Sequence, residues 1–146
     1  MKCRVINSQE VLLSKRFDGS YHNAEVNIYS SVIERHSSFK LKDYCTEIFT
    51  SGRNKRVYTT KEFGYPFLSN SDVVAAAPLA SCKYSSKKYG FDEKAILRKG
   101  MILTGRVGAI GQTAFVPGYL EAYNAMGSDN IIRICVKPEE RNGFIY

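Results

Sequence analysis

Lys94–Pro117 reads K-A-I-L-R-K-G-M-I-L-T-G-R-V-G-A-I-G-Q-T-A-F-V-P. Arg98-Lys99-Gly100 is a basic turn, and Met101–Leu103 is an apolar run of strand length. Gln112–Val116 is a second β-prone run, closed by Pro117-Gly118. Between the runs, Gly105, Gly108 and Gly111 recur at every third residue. Glycines so spaced mark a backbone that turns sharply or lets another group come close. A dinucleotide fingerprint needs G-x-G-x-x-G at the start of a helix, and here the residues that follow are strand-like. No G-x-x-x-x-G-K-[ST] phosphate loop is present either. Two readings stay open: a tight β-connection with positive φ or close strand packing, and a backbone that approaches a nucleic-acid phosphate beside Arg106.

On the N-terminal side of this stretch, residues 1–13 alternate loosely and predict an opening strand, and Asp18-Gly19 centres a turn. Ala24–Glu34 predicts a helix. Ser37-Ser38 can cap a second helix over Leu41–Ile48, where Leu41, Tyr44, Cys45 and Ile48 share one helical face. Val57–Thr60 predicts a short strand, Gly64-Tyr65-Pro66 a turn, and Phe67-Leu68 a strand that runs out at Ser69–Asp72. Ser81–Tyr89 reads as a loop or an edge strand. On the C-terminal side, Glu121–Met126 fits neither period, and Asn130–Val136 is a strand stopped by Pro138. No internal repeat or low-complexity linker is visible, and 146 residues suit a single domain over 1–146.

Hydrophobic residues make up 44% and charged residues 24% of the chain, a balance that excludes wholesale disorder. No apolar run approaches the roughly 20 residues of a membrane helix, and the N-terminus has no signal-peptide core. These features predict a cytoplasmic protein without membrane contact. Cys3, Cys45, Cys82 and Cys135 form no C-x-x-C pair and have no histidine at ligand spacing. They read as free, buried small hydrophobes, and no metal or other cofactor is expected. The net charge is +7, and from Arg53 to Arg106 eleven basic residues stand against four acids. That section therefore carries the whole excess. Such concentration points to a polyanion, above all nucleic acid, with a solvated basic surface as the rival reading.

Two clusters have the chemistry for nucleic-acid contact. The first is Arg53, Asn54, Lys55 and Arg56 with Tyr58; the second is Lys83, Tyr84, Lys87 and Lys88. Lysine and arginine neutralise phosphates, while arginine and asparagine can read base edges. Ser69, Asn70 and Ser71, at a strand end, form an uncharged third candidate, and Arg106 is the fourth. Each cluster also reads as a solvated loop. Catalytic signals are thin. His22 and His36 have no obvious triad partner, Asp72 and Asp129 suit side-chain caps in turns, and Asp92-Glu93-Lys94-Ala95 has Ala95 where a nuclease E-x-K needs its lysine.

The order of segments resembles a target-recognition domain of the specificity subunit of type I restriction-modification systems. The matching pieces are R-F-D-G-S-Y-H-N, F-K-L-K-D-Y-C-T-E-I-F-T-S-G, G-Y-P-F-L-S-N-S-D-V, the glycine-punctuated stretch and S-D-N-I-I-R-I-C-V-K-P, over about Arg16–Tyr146. The resemblance implies a β-rich α+β domain, a twisted sheet or β-helix-like body with a few short helices, that reads half of a split double-stranded DNA target. It implies methyltransferase and restriction subunits as partners that carry the catalysis, and a spacer helix following about where this chain stops. Base-reading positions vary in that family, so the candidate residues rest on charge and chemistry. A recognition part of a fused restriction-methylation enzyme, and a non-DNA interaction domain with an incidental basic face, remain the alternatives.

Overall fold

The computed structural model describes residues 5–17, 22, 24–36, 39–108, 111–141, 143 and 145. Contacts divide the chain into two compact units, Met1–Lys40 and Leu41–Tyr146, and the second carries every candidate residue. Among the described residues, helices combine with two four-stranded sheets, an α+β architecture without a closed barrel. No helix among them is long and apolar enough to cross a membrane.

The first unit holds two helices. Helix α1 spans Ser8–Ser14, where a strand was expected. The reason is local: the Asn7 side chain accepts a bond from the Glu10 N–H at 2.8 Å, an N-cap that satisfies a first-turn donor. Lys15, left-handed at φ 53°, ends the helix. Helix α2 spans Ala24–His36, close to the expected Ala24–Glu34, with Arg35 and His36 at the end where the helix dipole favours positive charge. The expected turn at Asp18-Gly19 and cap at Ser37-Ser38 lie outside the described residues.

The second unit opens with a 3-10 turn, Leu41–Tyr44, and then strand β1, Cys45–Phe49. This corrects the helix expected over Leu41–Ile48. The i, i+3, i+4, i+7 spacing is real, but Cys45–Phe49 pairs antiparallel with β8, Ile131–Val136, and tertiary pairing overrides the local pattern. The first sheet runs β1-β8-β5-β6, with β5 at Ile102–Gly105 and β6 at Thr113–Phe115. The glycine-punctuated stretch is thus a β-hairpin, with Ile102 opposite Phe115 and Thr104 opposite Thr113. Gly108 and Gly111, in the connection between these strands, take φ of 88° and 90°, the left-handed region that favours glycine.

The second sheet runs β2-β4-β3-β7: Tyr58–Thr59, Lys83–Ser86, Gly64–Leu68 and Met126–Gly127. Two expectations are corrected here. Gly64-Tyr65-Pro66 is strand rather than turn, and Lys83–Ser86 is an interior strand rather than a loop or edge. The Lys87 N–H donates to the Phe63 carbonyl and the Ser86 N–H turns the other way, to Val57. By alternation the Pro66 nitrogen points away from β4, toward the side where β7 pairs only with Phe67 and Leu68. The proline therefore removes no donor that the ladder uses.

A short helix α3, Asn70–Val73, follows β3, and helix α4, Gly118–Ala122, precedes β7. The main core joins Leu68 of β3, Leu103 of β5, Leu120 of α4 and Ile131 of β8 with Leu97, Met101, Val116 and Ala125. Cys45, Ile102, Ile134 and Val136 pack on the opposite face of the first sheet. Burial on both faces explains the largely apolar run in β8.

Arg133 interrupts that run and is fully buried. Its guanidinium donates to the carbonyls of Gly127 (2.6 Å), Ile131 (2.9 Å) and Ala95 (3.2 Å), tying β8 of one sheet to β7 of the other. Burial pushes it down to about 10, and the charges of Asp92 and Asp129 hold it from falling further.

Candidate nucleic-acid interface

The second sheet carries the site because of its register. Tyr58 and Tyr65 both pair with Ser85, and Phe67 pairs with Lys83. Paired residues share a face and neighbours along a strand alternate. Tyr58, Tyr65, Phe67, Lys83 and Ser85 therefore lie on one face, and Leu68 turns to the core on the other.

On the first face cations sit over aromatic rings. The Arg56 guanidinium lies 4.9 Å from the centre of the Phe67 ring, Lys83 Nζ 5.1 Å from Tyr58, and Lys87 Nζ 5.1 Å from Tyr65. Tyr58 meets Phe67 edge-on at 6.1 Å, which links two of the pairs. Each stack contributes about 0.5–1 kcal/mol at an exposed site and holds a flexible cation in one place.

Arg56 has a second restraint: its Nη2 bonds to Oδ1 of Asp129. Asp129 sits in the turn before β8 with its side chain 9% exposed, and Arg53 Nε approaches its other oxygen at 4.0 Å. The cap expected of Asp129 is thus an ion pair. The loop that carries Arg53–Arg56 is fixed from behind. Asp92 accepts from the Gly52 N–H at 2.8 Å, and Gly90, at φ 68°, lies so close that a Cβ there would stand 2.1 Å from the Lys55 carbonyl oxygen.

A cleft of about 710 Å³ opens beside these cations. Six sequence candidates line it: Arg56, Tyr58, Ser69, Asn70, Ser71 and Lys83. The hairpin closes it through Thr104, Gly105, Val107 and Gly108. Ser69 caps α3 in a reciprocal box, its backbone N–H and hydroxyl both donating to Asp72 at 2.8 and 2.6 Å. Its hydroxyl is also 2.9 Å from that of Ser71. Asn70 Nδ2 donates to the Val107 carbonyl at 2.9 Å, so the helix start and the hairpin are joined across the cleft.

The other candidates fall elsewhere. Arg53, Asn54 and Lys55 are exposed on the loop before β2. Lys87 and Lys88 are exposed past the end of β4, Lys88 over the ring of Tyr89 at 5.4 Å. Arg106 is exposed at the start of the hairpin loop, its N–H bonded to the Asn130 carbonyl. Tyr84 alternates to the opposite face from Lys83, away from the cleft. Sequence reasoning missed Phe67 and Tyr65, which carry two of the cations, and Asp129 as an arginine partner. The pattern G-Y-P-F-L held the signal for both rings, since Tyr65 and Phe67 stand two apart as one face of a strand requires.

Cys45, Cys82 and Cys135 are free thiols, each pushed up chiefly by burial. This fits their reading as small hydrophobes; Cys3 lies outside the described residues. Neither a known family model nor a curated protein sequence matches this chain.

Proposed function

We propose that the chain is a sequence-specific double-stranded DNA recognition module of a type I restriction-modification system, non-catalytic itself and directing methyltransferase and endonuclease subunits. The observation that carries the DNA reading is the convergence of Arg56, from the loop before β2, with Lys83 and Lys87, from β4 and just past it, on one aromatic sheet face beside a cleft lined by Ser69, Asn70 and Ser71. Exposed cations on the rim suit phosphates, which fix register on a duplex. Serine, asparagine and arginine within the cleft suit base edges. The restriction-modification assignment rests on the order of sequence segments.

Selection from a randomised duplex library with the full chain tests the reading. Enrichment of a common short motif supports it. Recovery of unselected sequence, or no retention of duplex at low salt, contradicts it.

A further inference from the structure

Among the described cations of this interface, Arg56 is the one hydrogen-bonded to a carboxylate. Its guanidinium is paired with the buried carboxylate of Asp129 and backed by the ring of Phe67. Among the described residues, no other acceptor engages it. Two consequences follow from elementary electrostatics. A phosphate approaching Arg56 also approaches the Asp129 carboxylate, so the attraction that a lone arginine offers is largely cancelled. The remaining N–H groups keep their direction, because carboxylate and ring together fix the plane of the fork. A guanidinium so held suits a neutral, planar pair of acceptors better than an anion.

In duplex DNA that partner is the major-groove edge of guanine, whose O6 and N7 accept two parallel bonds from arginine. Arg53 makes the contrast. Its side chain is 93% exposed and only 4.0 Å contact links it to Asp129, the character of a phosphate-seeking rim residue. We infer that Arg56 is a specificity-determining residue that reads guanine, and that Asp129 is its positioning residue. The inference rests on the DNA reading above.

The test uses the full chain, the duplex enriched from the randomised library, and its single base-pair variants. Arg56→Lys keeps the charge and loses the fork. It is expected to lose preference at one G·C pair by about ten- to a hundredfold, with preferences elsewhere unchanged. Asp129→Asn keeps Arg56 and is expected to weaken preference at that same pair and no other. Lys87→Ala is expected to weaken all duplexes by one common factor. A uniform loss with Arg56→Lys, or an unchanged base preference, overturns the inference and leaves the DNA reading standing. If the wild-type chain enriches no sequence, the DNA reading fails and the inference with it. Thermal melts show whether each variant is folded; should Arg56→Lys not fold, Asp129→Asn decides, and an unchanged preference in it overturns the inference.

Discussion

The carboxylate of Asp129 binds the guanidinium of Arg56 across 73 residues of chain. The bond connects the loop before β2 to the turn before β8, and so couples the cleft wall to the core strand. Asp129→Asn removes the charge and keeps the shape. We expect a loss of about 1 kcal/mol in stability, read as a lower urea midpoint with an unchanged m value. An unchanged midpoint would mean that the pair orients Arg56 without stabilising the fold.

Gly90 controls the same loop from its other side. A Cβ at this residue meets the Lys55 carbonyl oxygen at 2.1 Å, and φ is 68°. Gly90→Ala should cost about 1–3 kcal/mol and displace Arg53–Arg56. Chemical-shift changes centred on 53–56, together with the lower midpoint, would check both parts.

Arg133 links the two sheets through carbonyls of Gly127, Ile131 and Ala95. Arg133→Met fits the volume and leaves those acceptors without a donor. A loss of about 2–4 kcal/mol is expected by denaturant unfolding. The pH dependence has a definite sign. A guanidinium pushed down to about 10 in the fold binds fewer protons there than in the unfolded chain once pH exceeds that value. Its contribution is therefore flat from pH 6 to 9, and stability relative to Arg133→Met rises with pH only above about 10.

How much of this was legible in the sequence depended on how local its cause was. Gly108 and Gly111 announced a hairpin connection with positive φ because that conformation is set locally. Asn130–Val136 announced a strand because burial on both faces leaves an apolar run. Leu41–Ile48 misled, since its helical spacing belongs to a segment whose partner, β8, lies about ninety residues on. Gly64-Tyr65-Pro66 misled because the harmless direction of the Pro66 nitrogen is set by its neighbours in the sheet. At the site, Arg56, Lys83 and Lys87 were visible as charge in a basic section. Their rings and the Asp129 partner were not, because those contacts form only when β2, β3, β4 and the turn before β8 assemble.

The central claim is that Lys83 and Lys87, held over the aromatic face, meet DNA phosphates. The most direct measurement is the salt dependence of duplex binding by anisotropy, wild type against a Lys83→Gln, Lys87→Gln double variant. Each phosphate neutralised contributes about 0.9 to the slope of log affinity against log salt. We expect a steep fall for wild type and a slope shallower by about 2 for the double variant. Binding indifferent to salt, or the same slope in both proteins, would contradict the claim.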